Sequence, residues 1–219
     1  LHLVPKCLTS ERMYYKIQKQ GDKMNYLISK ILTFITEQNG ISNDEEVQDF
    51  YRYGIEISIS SLLNIILVLL VGLLIGHLLE SVVYLFLFIL IRSFTGGYHA
   101  DTYFRCNLLM CTTFVLTVLV NTVLTGRISL SMAMGISGLT EITVLALGPI
   151  ENKNKPIDES KRGKLKIAGF IITFIINGVG IFMRKSYIGS MILFTCLLIA
   201  ILMGAAIIKG KRGVERENF

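Results

Sequence analysis

Residues 92–106 read RSFTGGYHADTYFRC, placing a thiol, an imidazole, two guanidinium groups, a carboxylate and a Gly-Gly pair between long apolar runs. A thiol and an imidazole are the parts needed for nucleophilic acyl transfer. The imidazole takes the thiol proton, and the thiolate attacks a carbonyl carbon. Cys106 and His99 are the candidates for these two roles, and they stand seven positions apart. On one continuous helix they would share a face yet lie about 10.5 Å apart along the axis, at ~1.5 Å per residue. Direct proton transfer needs an approach of about 3 Å. If the two residues act together, the chain must bend between them. Gly96-Gly97 can end a helix, and Asp101 or Thr102 can cap the next one. His99 then falls on the turn, and Cys106 in the first turns of the following helix.

Arg92, Arg105 and the positive end of that helix would surround the thiol with groups that stabilise an anion. An Asp101–Arg105 pair at i,i+4 could brace the helix start. Apolar burial works in the opposite direction, and spacing alone leaves the balance open. Without chemistry, the same stretch is a charged anchor at the end of a span. No metal site or cofactor is indicated. The four cysteines show no CxxC spacing, and His2, His77 and His99 are scattered. Cys7, Cys111 and Cys196 read as small apolar residues or unpaired thiols. His77, beside Glu80, reads as a solvated residue of an outer turn.

The elements that must position this stretch are membrane-like. The 219 residues are 52% hydrophobic and 17% charged, and mean hydropathy is +0.58, outside the usual range of soluble domains. The net charge of +6 is not gathered into a basic stripe interleaved with aromatics, which sets nucleic acid aside as a partner. Six apolar segments are expected near 55–76, 78–93, 103–125, 128–148, 165–183 and 187–208, each close to the ~20 residues a bilayer requires. The second is short, because Glu80 and Arg92 bracket its uncharged part. Both ends must lie near the interfaces, or its inner end must be sheltered by protein. Residues 24–37 form an amphipathic helix that precedes the spans. The fold class is thus an all-α integral membrane protein of about six transmembrane helices. Residues 1–23 read as a poorly ordered or non-native extension, with Met13 or Met24 as the start, and 24–219 as the membrane domain. With the N-terminus inside, 19 of the 22 Lys and Arg fall on the cytoplasmic side, and Arg127, Arg184 and Lys185 fall outside. That asymmetry puts both termini and residues 92–106 at the cytoplasmic face.

RSFTGGYHADTYFRC resembles the signature of the AgrB family, the accessory gene regulator membrane endopeptidases of Gram-positive bacteria. The Arg, the Gly-Gly-x-His run and the Cys seven positions after the His carry the resemblance. YGIE at 53–56 and GPIENKNKP at 148–156 extend it to the start of the first span and to a polar loop. The resemblance implies that Cys106 is the nucleophile and His99 its general base, and that Arg92 and Gly97 match positions needed for activity. It also implies a homodimer in the bacterial plasma membrane. The implied reaction cleaves an AgrD-like propeptide on its C-terminal side through an acyl-enzyme thioester, from which an internal residue closes a ring. The alternative is a small multispan transporter or channel, with residues 92–106 lining its path. A membrane scaffold without chemistry is a further rival.

Other polar residues need positions too. Glu56 could orient His99 or pair with Arg92, or simply with Arg52 at i,i+4. Glu141 lies deep in a span and could pair with an arginine or line a substrate cavity. Asn64, Asn121 and Asn177 are suited to interhelical hydrogen bonds. Lys153, Lys155, Lys161, Arg162, Lys164 and Lys166 form a basic loop expected at the inner face, which could touch anionic lipid or hold an acidic part of the propeptide. The oxyanion donor is open between Arg92 and backbone amides at the start of the third span.

Overall fold

A computed structural model of the chain describes residues 30, 31, 33, 45–96, 103–150 and 159–217. Its named helices are α1 (Glu45–Leu74), α2 (Leu78–Thr95), α3 (Tyr103–Leu124), α4 (Leu130–Leu147), α5 (Glu159–Phe182) and α6 (Tyr187–Glu217). Each contains a stretch of at least 18 residues long and apolar enough to cross a membrane, and no strand occurs among the described residues. The expected six-span architecture is therefore present. The expected helix over 24–37 lies outside the described residues, except for Lys30, Ile31 and Thr33, which are helical.

Helical structure runs past the apolar segments at several ends. α1 begins at Glu45 and α6 continues to Glu217. α5 begins at Glu159, so Lys161, Arg162, Lys164 and Lys166 lie on its first turns. That corrects their assignment to a loop. Lys, Arg, Glu and Leu all favour helix, and a helix started inside the bilayer adds one hydrogen bond for each residue it continues into water. Lys153 and Lys155 lie outside the described residues.

Compact units divide the chain at Leu62/Leu63. In the first, Ile31, Tyr51, Gly54, Ile55, Ser58 and Ile59 line an open apolar groove. In the second, Leu63–Phe219, α6 packs against α2, α3, α4 and α5. Half of Tyr187–Ile208 is buried, the largest share among the six spans. Met191, Leu193, Cys196 and Met203 are fully enclosed on it. Large apolar side chains elsewhere face outward, Phe86, Leu119 and Phe174 among them. In lipid such a face is solvated by acyl chains and needs no protein cover.

Two turns show how glycine shapes the ends. α1 closes with Gly76 at φ 77°, while His77 N–H bonds the Gly72 carbonyl at 2.7 Å and Gly76 N–H bonds the Leu73 carbonyl at 3.2 Å. This is a Schellman closure with glycine in the left-handed position. His77, the next residue, lies in the turn beside Glu80 as expected, and it is also packed. Its ring stacks on Tyr187 at 5.6 Å between centroids, and its Nδ1 lies 3.4 Å from Glu80 Oε1. α2 ends where the Gly-Gly pair predicted, at Thr95, with Gly96 at φ 70°, ψ −155° and its N–H bonded to the Arg92 carbonyl at 3.0 Å.

Candidate functional site

The site begins at the C-terminal end of α2. This helix runs through Arg92, which is half-buried, to Thr95. The Arg92 guanidinium lies 5.3 Å above the Phe88 ring, one turn back along the helix. Phe88 stacks on Tyr84 at 5.6 Å, and Tyr84 meets Phe114 of α3 at 5.4 Å. Tyr84 and Phe114 are wholly buried. The Tyr84 hydroxyl lies 2.9 Å from Thr113 Oγ1. Thr113 donates to the Leu109 carbonyl at 2.7 Å, so Tyr84 is the donor in that pair. A continuous stack of side chains thus ties Arg92 to α3. At this end of the span an aromatic ring covers the cation, which is held on its π face.

Cys106 sits in the first turn of α3. The residues at i+4, i+7 and i+11, namely Met110, Thr113 and Thr117, are buried. Cys106 therefore lies on the packed face of α3, and its own side chain is half-buried as a free thiol. Two groups face it. The Arg92 guanidinium is within electrostatic reach of the thiol. From α1, Asn64 Nδ2 points at Cys106 Sγ from 3.9 Å, which is long for a hydrogen bond even to sulfur. Asn64 lies one turn before the fully buried Val68 on the same side of α1, and its Oδ1 is enclosed without a hydrogen-bond partner.

The Gly-Gly turn is held from another direction. Ile150 N–H donates to the Thr95 carbonyl at 2.9 Å, and Gly96 pairs with Ile150 in an isolated parallel bridge. A Cβ on Gly96 would overlap the Ile150 carbonyl oxygen. GPI at 148–150 therefore abuts the end of α2, joining two of the motifs that sequence analysis had singled out.

The remaining expected site residues divide clearly. Gly97, His99 and Asp101 lie outside the described residues. Glu56 falls on α1, with its side chain outside the described set. Arg105 is exposed next to Cys106, and Lys161, Arg162, Lys164 and Lys166 are exposed on α5. Glu141 is not paired with an arginine as suggested. Its Oε1 accepts from Asn177 Nδ2 at 2.8 Å and its Oε2 from Thr173 Oγ1 at 3.0 Å, both on α5. Asn121 donates to the Tyr187 carbonyl at 3.0 Å. Sequence reasoning had named Asn64 only as an interhelical hydrogen-bonding residue. An amide in a span was the available signal, and nothing local linked it to the thiol. No group of three or more metal-ligating side chains occurs among the described residues.

A protein-family model described as Accessory gene regulator B (AgrB) matches residues 28–207. A curated relative from Clostridium perfringens, named "Putative AgrB-like protein", is 28% identical over 145 residues, covering 63% of this chain and 68% of that one. A relative with the same name from Listeria innocua is 26% identical over 140 residues, covering 64% and 68%. No solved structure gives a significant match.

Proposed function

This chain belongs to the AgrB family, and we propose on that premise that it is a membrane cysteine endopeptidase that matures a quorum-sensing peptide. Membership and the six apolar helices make it a multi-pass membrane protein with a role in agr-type quorum-sensing peptide processing. The cysteine chemistry is the further step. The observation that carries it is the position of Cys106, half-buried at the start of α3, facing an amide from α1 and within electrostatic reach of Arg92.

In this mechanism His99 takes the Cys106 proton, and Sγ attacks the scissile carbonyl of an AgrD-like propeptide. The tetrahedral intermediate collapses as the imidazolium protonates the departing amine, leaving a thioester on Cys106. Arg92 holds a positive charge opposite the developing anion. For His99 to serve Cys106 the chain must turn between them, a role that suits Gly96 and Gly97 with Asp101 and Arg105 in support. An internal side chain of the propeptide then attacks the thioester and closes the ring. Hydrolysis is the competing and more favourable outcome, so the site must limit water, as a pocket between spans does. The basic residues of the 153–166 segment hold the acidic part of the propeptide at the cytoplasmic face, and the active form is a homodimer.

The test is intact-mass analysis of purified protein in lipid, incubated with its propeptide. A hydroxylamine-sensitive acyl adduct that disappears in Cys106→Ala is the expected result. Neither adduct nor cleavage from inserted wild-type protein with its propeptide present would overturn the peptidase assignment and leave a transporter as the alternative.

A further inference from the structure

The side chain at Asn64 is placed as an unfinished hydrogen-bonding group. Burying an amide costs free energy unless its polar atoms are bonded. Among the described residues Nδ2 makes only the 3.9 Å contact with Cys106 Sγ, and Oδ1 is enclosed with no partner. A thiol is a weak acceptor, so the donors of Asn64 are poorly used in the resting protein. α1 nevertheless presents the amide on the side that carries the fully buried Val68. An under-used donor beside a nucleophile matches a group reserved for charge that appears only during reaction. Effective oxyanion donors sit about 2.7–3.1 Å from the oxygen of the intermediate, not from the ground-state groups. That oxygen stands two bonds from the attacking sulfur. A donor 3.9 Å from Sγ can therefore reach it without moving either helix.

We infer that Asn64 is the oxyanion donor for acyl transfer at Cys106, its Nδ2–H groups binding the oxygen of the tetrahedral intermediate. The inference rests on Cys106 being the nucleophile proposed above. In the step it serves, the C–S bond forms and the carbonyl π pair moves onto oxygen, where Asn64 Nδ2 donates to it. The pair returns as the C–N bond breaks, and the nitrogen leaves with the proton carried by His99. The amide contributes no proton and stays neutral throughout. Arg92, seated on Phe88, supplies charge to the same site.

Two probes that do not depend on the propeptide separate this role from a structural one. p-Nitrophenyl acetate acylates a thiol through a tetrahedral oxyanion. Iodoacetamide alkylates it by direct displacement, with no oxyanion. Both reactions are followed at Cys106 by peptide mass mapping of the full-length protein in lipid. Cys196, fully buried in α6, is the internal control for packing. Asn64→Ala is expected to slow acetylation of Cys106 on the order of 10²-fold, while alkylation of Cys106 keeps its rate and Cys196 stays unlabelled. Parallel loss of both reactions, or loss of neither, overturns the inference. If Asn64→Ala exposes Cys196, Asn64→Leu, which is apolar and similar in size but cannot donate, is read in the same way. Loss of packing in both variants also overturns the inference, because Asn64 would then be a structural residue. Failure of the underlying nucleophile assignment looks different, since propeptide cleavage would then survive Cys106→Ala.

Discussion

Ile150 donates its backbone N–H to the carbonyl of Thr95 at 2.9 Å. The bond joins the end of α2 to the segment that follows α4, and Gly96 is pressed against the Ile150 carbonyl oxygen. The turn leading toward His99 is thus braced by residues more than fifty positions later in the chain.

Gly96→Ala should therefore be damaging for two reasons. Its φ 70°, ψ −155° backbone lies in territory that costs other residues ~1–3 kcal/mol, and the new methyl would collide with Ile150. A lowered melting temperature in detergent together with loss of the acyl adduct is expected. Wild-type behaviour in both assays would mean that the bridge does not hold this turn.

The aromatic stack below Arg92 predicts graded effects. Tyr84→Phe keeps the ring contacts and loses the bond to Thr113, at a cost of about 1 kcal/mol. Tyr84→Ala empties a fully buried site and should cost ~3–5 kcal/mol. Phe88→Leu removes the platform of Arg92, an interaction worth about 0.5–2 kcal/mol. The last variant should lower adduct formation more than it lowers the melting temperature. The reverse order would assign Phe88 to packing alone.

Glu141 and Asn177 form a buried pair between α4 and α5. Glu141→Ala strands the Asn177 amide, at a cost of ~1–3 kcal/mol. Thr173 suffers less, because its hydroxyl also reaches the Gly169 carbonyl at 2.9 Å. Glu141→Gln retains an acceptor for Asn177 and should be milder. Thermal unfolding of the two variants in lipid checks the ranking. Equal melting temperatures would show that the carboxylate is not part of the packing between these helices.

The first turns of α5 expose Lys161, Arg162, Lys164 and Lys166. If they hold an acidic propeptide segment, affinity should fall as salt rises and the Debye length shortens to about 8 Å at 0.15 M. Reversing all four charges should weaken binding at low salt and flatten its salt dependence. Unchanged affinity in that variant, measured by titration of labelled propeptide, would remove these residues from the binding surface.

The number of spans, the end of α2 at Gly96 and the kinship with AgrB were all legible in the residues. Each depends on local physics. About twenty apolar residues satisfy a bilayer wherever they occur, and a glycine in left-handed backbone marks its own turn. The same hydropathy that located the spans hid their polar extensions, so the basic residues of α5 read as a loop. Polar helix outside a bilayer carries no hydropathy signal.

What the sequence alone determined is therefore the set of helices and the chemistry each carries, including the thiol of Cys106. Tertiary structure alone decided that Asn64 faces this thiol across 42 positions, that Glu141 meets Thr173 and Asn177, and that His77 stacks on Tyr187. In water, apolar periodicity tells which side of a helix packs. Within lipid both sides are apolar, so periodicity cannot assign partners. They are set by the rotation of each helix and the close fit of its side chains, which emerge only when all the spans are packed together.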